Sequence, residues 1–386
     1  MEFHVERALT MIIAAFLLSM AFAPFVINVL YKWKIVRHLK DDFSSIIPGR
    51  QKKFGKPIMG GLIPLITVMI FVLFLWVYRI FLADSGLFPF LDSIIDSRSL
   101  LAPITVFLIM AILGGIDDVL NIFGVKRTIR TVKKQVKLAK VHKSFIKRIY
   151  YWITLPVTAY KNIWYALGSY PGKGIHAGEK IIIQLVAAGI AVWWIYFQQG
   201  ISSVWLPWVG NVEIGIFMPV LITLAVVSTS NAVNFADGMD GLAAGTMLPA
   251  FLAFLVFAIL DGQVSYIYVN SVVMGAMFTY LYFNIKPARI ELGDVGSLSF
   301  GALLAMVALG QGKIMLLPVI GLVYVSEVAS SFLQGVVRRL MGRRLFKMAP
   351  LHYHFQIIGW SEEKIVERFW ILAIVCAVFG MWLGLQ

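Results

Sequence analysis

The chain has 386 residues, 60% of them hydrophobic and only 14% charged, with a formal net charge of +14. Globular domains run about half apolar and a quarter charged, so a mean hydropathy of +0.83 excludes an ordinary water-soluble domain. The single cysteine, Cys376, excludes an intramolecular disulfide and carries no information about redox compartment.

Windows of about 19 residues predict ten membrane spans. They lie near 8–30, 60–83, 99–116, 180–200, 213–230, 241–260, 266–283, 295–312, 314–337 and 366–385. Runs of about 20 apolar residues fit helices, whereas barrel strands are about half as long and alternate. The expected fold is therefore an all-α integral membrane protein in one polytopic domain. Its first segment, LTMIIAAFLLSMAFA, ends like a signal peptide in Ala21-Phe22-Ala23. Pro24 follows, however, and the apolar run continues through FVINVL, so a retained first span is expected.

The loops after spans one, three, seven and nine are basic: YKWKIVRHLK, VKRTIRTVKKQVKLAKVHKSFIKR, IKPARI and RRLMGRRLFK. Those after spans two, four, six and eight are nearly free of Lys and Arg. Positive loops remain cytoplasmic, which puts both termini outside and every polar cluster on the cytoplasmic face.

Within this frame, 125–175 reads as a basic and aromatic insertion at the cytoplasmic surface. Its part 126–148 carries about ten Lys and Arg, with Ile129, Val132, Val136 and Ala139 at helical spacing. That pattern predicts one amphipathic helix lying on anionic lipids. Nucleic acid is not expected as a partner, because no base-reading motif accompanies the charge. RIYYWITLPVTAYKNIWYALG, rich in Tyr and Trp, fits an interfacial or a re-entrant segment.

Four clusters carry candidate chemistry, taken in chain order. GGIDD ends span three with Asp117 and Asp118. Adjacent helical residues point about 100° apart, so one carboxylate can take a proton or hold a metal while the other orients a Lys or a water; two solvated helix-end acids are the plainer alternative. NAVNFADGMDG places Asn231, Asn234, Asp237 and Asp240 at three-residue intervals, a polar stripe able to read a base or ribose if the helix continues. Gly238 and Gly241 would loosen it there. In FNIKPARIELGDVGSLSFG, Asn284 and Lys286 precede Asp294, which sits in a Gly-rich turn. Such an acid suits Mg²⁺, which takes carboxylate oxygens together with phosphate and water. Finally, MAPLHYHFQIIGW brings His352 and His354 close to an Arg cluster, where they can shuttle protons or donate to phosphate. Acids, cations, amides and imidazoles on one face together predict phosphoryl transfer on a nucleotide substrate at the membrane surface.

PIMGG, GGIDD, GEKIIIQ, NAVNFADGMDGLA, FN…GDVGSL and MAPLHYHFQIIGW stand in the order seen in the polyprenyl-phosphate N-acetylhexosamine-1-phosphate transferases. The chain most resembles their phospho-N-acetylmuramoyl-pentapeptide branch, over nearly its whole length apart from about 45 residues around 125–175. The resemblance implies ten spans in the bacterial cytoplasmic (inner) membrane, a homodimer and a Mg²⁺ cofactor. It implies transfer of phospho-MurNAc-pentapeptide from a UDP-linked muramyl peptide to undecaprenyl phosphate, giving lipid I and UMP in peptidoglycan synthesis. Carried over by motif, Asp117 is the base, with Asp118 beside it and His352 near the phosphates. Asp294 is the metal ligand, with Asp117 close enough to share the ion; an aspartate at its place has also been read as a nucleophile. Substrate contacts fall on Lys53, Lys180, Asn231, Asn234, Asp237, Asp240, Asn284 and His354. Four places depart from the branch's pattern. Tyr353 stands for a histidine, Glu291-Leu292 for Phe-Met, Asn121 for a lysine, and Gly55-Lys56-Pro57-Ile58-Met59-Gly60-Gly61 lacks two threonines. A GlcNAc-1-phosphate transferase is the alternative of the same chemistry. A transporter of lipid-linked or nucleotide cargo is the alternative of another class, although its sites would lie near the midplane and not at one surface.

Overall fold

The computed structural model describes residues 2–37, 55–81, 100–124, 130–166 and 173–386. Within them the chain is almost entirely helical. It opens with α1 (Glu2–Lys32), α2 (Leu62–Phe81) and α3 (Leu101–Phe123). Three shorter helices follow: α4 (Val132–Val141), α5 (Phe145–Ile153) and α6 (Leu155–Ala166). Then α7 (Ala177–Val192) passes through a π-helical turn, Trp193–Gln198, into an antiparallel hairpin. In the hairpin, β1 (Ser203–Leu206) pairs with β2 (Gly210–Glu213), Ser203 opposite Glu213. The second half comprises α8 (Met218–Ala236), α9 (Leu242–Leu260), α10 (Val264–Asn284) and α11 (Gly293–Gly310). It closes with α12 (Leu317–Ile320), α13 (Leu322–Met341), α14 (Leu351–Ile357) and α15 (Glu362–Gly384).

Among the described residues, eight helices are long and apolar enough to cross a membrane. A further span exists only as a bent pair, Ile314–Ile320 with Leu322–Met341, which meet at 77°. The remaining expected span is the shorter apolar helix Leu62–Tyr78. Each of the ten expected segments thus contains a helix, the form that satisfies its own backbone in lipid. The chain is an all-α integral membrane protein.

α11 sits at the centre of the bundle, with nearly every residue from Gly293 to Leu309 buried. Lipid tails compete with apolar side chains for contact, so close packing of small residues holds such helices together. A Cβ on Gly301 would lie 2.8 Å from the Ser230 Cα on α8, and one on Gly61 would overlap Gly296. Hydroxyls add ties between helices: Ser230 donates to the Leu298 carbonyl at 2.9 Å and Ser19 to Thr279 at 2.6 Å. Such bonds average about 0.6 kcal/mol in a membrane, so packing dominates.

Two expectations are corrected by these elements. Span three does not stop at 116 but runs to Phe123, which puts Asp117 and Asp118 inside the helix with a full turn beyond them. The basic stretch is not one helix to 148. Within its described part, the helix ends at Val141, His142 takes an extended conformation, and a new helix starts at Phe145. Gln135 explains the fold-back: its amide donates to the Tyr151 carbonyl at 3.1 Å and to Thr154 Oγ1 at 2.7 Å.

α3 touches α11 most closely at Gly114, where an added Cβ would overlap the Asp294 carbonyl. Neither backbone has room to retreat. Gly114→Ala is expected to cost about 1–3 kcal/mol by overpacking, read as a lowered thermal midpoint of the purified protein. The same change at Gly189, where nothing lies within 4 Å, leaves the midpoint unchanged.

Candidate active site

The site forms where the N-terminus of α11 meets the last turns of α3. Gly293 adopts a left-handed φ of +74° that turns the chain into the helix, and the first N–H groups of α11 then need acceptors. Asp118 supplies two of them: its Oδ1 accepts from the Asp294 N–H and its Oδ2 from the Val295 N–H, both at 3.0 Å. Asp237 Oδ2 accepts from the Gly293 N–H at 3.1 Å. Two carboxylates at a positive helix end are favourably placed, so Asp118 is committed to holding α11.

Asp117 points elsewhere, as its position one residue away requires. It accepts from Asn121 Nδ2 at 2.7 Å and from the Ile175 N–H at 2.6 Å. Its third partner is the Lys180 ammonium, 2.7 Å away, which is also 2.7 Å from Asp294 Oδ2. Lys180 lies in the first turn of α7, fixed by a capping box in which His176 and Glu179 satisfy each other's backbone. The loop before it wraps Asp117 so closely that a Cβ on Gly174 would sit 2.6 Å from Asp117 Oδ1.

A pocket of about 470 Å³ opens beside this cluster, lined by Arg37, Asp118, Asn121, Asn234, Asp237 and Asp294, with Tyr353 on its wall. The expected stripe at 231–241 is broken there. α8 ends at Ala236, Asp237 leaves helical geometry, and Gly241 has φ +83°. The four polar residues therefore part company. Asn231 exchanges hydrogen bonds with Gln184, at 2.8 and 3.3 Å. Asn234 lines the pocket together with Asp294. Asp240 is buried against Lys56 Nζ at 2.9 Å and the Ala288 N–H at 3.1 Å. Asn284 is a clamp, accepting from the Gly241 N–H and donating to the Ile290 carbonyl, both at 2.8 Å. With Asp240 it borders a smaller polar recess that shares Arg37, Asp237 and Gly238 with the main pocket.

The histidines divide as well. His352 is fully buried, its Nδ1 2.8 Å from Glu327 Oε2 and its backbone N–H donating to Glu327 Oε1 at 3.2 Å. Its Nε2 has no partner and faces Gly238, where no side chain would fit. Tyr353, not His352, lines the pocket, with its hydroxyl donating to the Gly238 carbonyl at 3.3 Å. His354 accepts from the Lys347 N–H at 3.2 Å, away from the pocket walls. Lys53 lies outside the described residues. Lys286 pairs with Glu363 at 2.7 Å and Glu362 at 3.2 Å. Partial burial works against its charge, but these two acids outweigh it and hold its pKa above the ordinary value.

Three contributors escaped the motif reading. Arg37 was one charge among many in a basic loop, yet it reaches Glu291 at 2.8 Å on the pocket rim. Gln184 had no partner identifiable from spacing. Glu327 did carry a signal: an acid within LVYVSEVASSF is a costly residue in a membrane segment and marks a partner nearby.

For a metal ion the fit is of a particular kind. Among the described residues no group of three His, Cys, Asp or Glu side chains is disposed to hold one. Magnesium, however, is commonly bound through one or two carboxylates with substrate phosphates and water. Asp294 suits that role, since it lines the pocket with its side chain 22% exposed. The space between Asp117 and Asp294 is held by the Lys180 ammonium.

Acids, a bridging lysine and a pocket of nucleotide size thus lie together at one end of a membrane helical bundle. Residues 172–311 match the glycosyl transferase family 4 model. The phospho-N-acetylmuramoyl-pentapeptide-transferase of Chloroflexus aurantiacus is 31% identical over 390 aligned positions, covering 98% of this chain and 90% of that one. The enzyme of the same name from Desulfotalea psychrophila is 29% identical, covering 97% and 92%. That from Moorella thermoacetica is 41% identical over 207 positions, covering 53% and 64%. The chain belongs to the phospho-N-acetylmuramoyl-pentapeptide-transferase family.

The two neighbouring aspartates are expected to separate experimentally. Asp118→Asn turns an amide N–H₂ toward the backbone donors of α11 and should cost about 1–3 kcal/mol of stability, seen as a lower thermal midpoint. Lys180→Gln, which takes the shared ammonium from Asp117 and Asp294, should cost about 3–5 kcal/mol of lost pairing, also read as a lower midpoint, and lower turnover by roughly 10²-fold. Equal midpoints for parent and Asp118→Asn would refute the capping role.

Proposed function

We propose that the protein transfers phospho-MurNAc-pentapeptide from its UDP carrier to undecaprenyl phosphate, releasing UMP and forming lipid I. The single observation that carries the reading is the Lys180 ammonium held between Asp117 and Asp294, the latter on the wall of a pocket large enough for a nucleotide. Family membership supports the muramyl donor over a GlcNAc donor. An apolar groove of about 490 Å³ supports the lipid acceptor. It runs along α8 and the bend at Gly321, with Leu221, Leu224, Pro318, Val328 and Phe332 among its walls.

In this mechanism the acceptor phosphate gives its proton to Asp117 and attacks the phosphorus bearing the sugar. The bond from that phosphorus to the UMP oxygen breaks, and UMP leaves. Asp117 can act as the base because Asn121, Ile175 and Lys180 fix its oxygens in place. Lys180 offers positive charge where the diphosphate is negative, and Asn234 and Asp237 face the nucleoside end. A bound Mg²⁺, held by Asp294, would neutralise diphosphate charge and favour the leaving group.

The cytoplasmic orientation of the site, the bacterial inner-membrane location and a homodimer belong to the same proposal, supported by the loop charges and the family. Purified protein given UDP-MurNAc-pentapeptide, undecaprenyl phosphate and Mg²⁺ is expected to release UMP. Asp117→Asn and Asp294→Asn should each slow that release by roughly 10²-fold or more. Offering UDP-GlcNAc in competition tests the donor: a preference for UDP-GlcNAc would replace this reading with the other sugar.

A further inference from the structure

The segment between α3 and α7 folds into a unit with one uncovered apolar side. Residues 130–166 contain no Asp or Glu. α4 carries Lys133, Lys134, Lys137 and Lys140, all exposed, while its Gln135 and Ala139 are buried against the neighbouring helices. α5 is held from one side only. Tyr151 is buried, its ring 5.7 Å from that of His142 and under the Arg130 guanidinium at 5.2 Å.

On the opposite side of α5 lie Phe145, Ile149, Trp152 and Ile153, at helical spacings of four, three and one. With Ile146 they cover an arc of about 120° at roughly 100° per residue. This arc is open: Ile146 is 78% exposed and Phe145 and Ile153 are each 71% exposed. Val157 and Ile163 on α6 are exposed as well. Scattered exposed apolar residues need no explanation, but a contiguous patch marks an interaction surface. Exposed Arg148 borders it, about 40° beyond Trp152, and exposed Lys143 precedes the helix.

The occupant follows from charge and reach. An apolar arc edged by cations, without a single acid, matches an anionic lipid surface. Trp152 and Tyr150 add the amphipathic rings that favour a headgroup boundary. The bilayer is also close by construction. Phe123 ends a membrane span and Val132 begins α4, so the connection reaches at most about 30 Å when fully extended.

We propose that α5 docks on the anionic lipid surface of the membrane that holds the chain, with the Phe145–Ile153 arc immersed and the α4 lysines over headgroups. This differs from a lysine helix lying on the leaflet alone, because the immersed residues belong to the next helix. It also gives the docked unit a line to the catalytic cluster. Tyr160 donates to the Gly178 carbonyl at 3.0 Å, and Lys161 pairs with Glu179 at 2.5 Å. Gly178 and Glu179 are the two residues before Lys180. Lipid contact and the catalytic ammonium therefore share the first turn of α7.

The proposal is tested on the full chain in lipid nanodiscs, independently of transferase activity. Cys376 is the sole cysteine, so Ile146→Cys in a Cys376→Ala background carries one nitroxide label, and Lys140→Cys in the same background serves as the reference. In discs containing phosphatidylglycerol, the label at 146 should relax faster with oxygen than with a water-soluble nickel chelate, and the label at 140 the reverse. Faster relaxation of label 146 by nickel would overturn the proposal. So would equal immersion in phosphatidylcholine alone, which removes the anionic requirement. Protection from both reagents would mean a protein contact, a second copy included, and would also overturn it.

Discussion

Asp117 and Asp118, both buried, and the half-buried Asp294 cluster at the end of a membrane bundle, which would be untenable unless each had a partner, because an unpaired buried charge costs several kcal/mol. Asp118 is relieved by the N-terminal N–H groups of α11, while Asp117 and Asp294 share the Lys180 ammonium. This arrangement constrains everything around it. It fixes where α11 begins, how closely α3 can approach it at Gly114, and where the first turn of α7 must lie. The candidate catalytic constellation and the packing of the central helix are one set of contacts, so a change that loosens either loosens both.

Around that centre, several residues of functional type are spent on architecture. Asn284 and Asp240 tie the loop after α8 to the loop before α11, each using its polar atoms on backbone groups or Lys56. Glu362 accepts from the Asp240 N–H at 3.1 Å and brings α15 into the same network. Glu327 and His352 form a fully buried pair behind Gly238. These contacts hold the pocket wall rigid, which is what positioning a diphosphate for in-line attack requires.

Much of this was legible in the sequence, for identifiable reasons. Apolar runs of bilayer length each fell on a helix, eight of them long and apolar enough to cross a membrane among the described residues, since lipid leaves the backbone no other form. The motif order led to Asp117, Asp118, Lys180 and Asp294. What spacing could not reveal was partnership. Asn231, Asn234, Asp237 and Asp240 share a three-residue interval, but the interval means a common face only while the helix lasts, and α8 ends at Ala236. Likewise the helical spacing of Ile129, Val132, Val136 and Ala139 within 126–148 was visible, whereas the reversal at His142 depends on a Gln135 amide meeting Tyr151 and Thr154. Residue type gave polarity; tertiary contact decided what the polarity was used for.

α8 shows how a single helix can serve two phases. Leu221, Leu224 and Ala225 face the apolar groove, which extends along the helix to Ala232. Half a turn further, Asn234 and Phe235 already line the polar pocket. Along the helix axis the two are separated by only a few ångströms at about 1.5 Å per residue, with Phe235 about 60° and Asn234 about 160° round the helix from Ala232. An acceptor with a long apolar tail and a phosphate head can keep the tail in lipid while its head reaches the carboxylates. Neither end need be transferred into the wrong solvent. The groove lies along the 77° bend, with Gly321 among its lining residues.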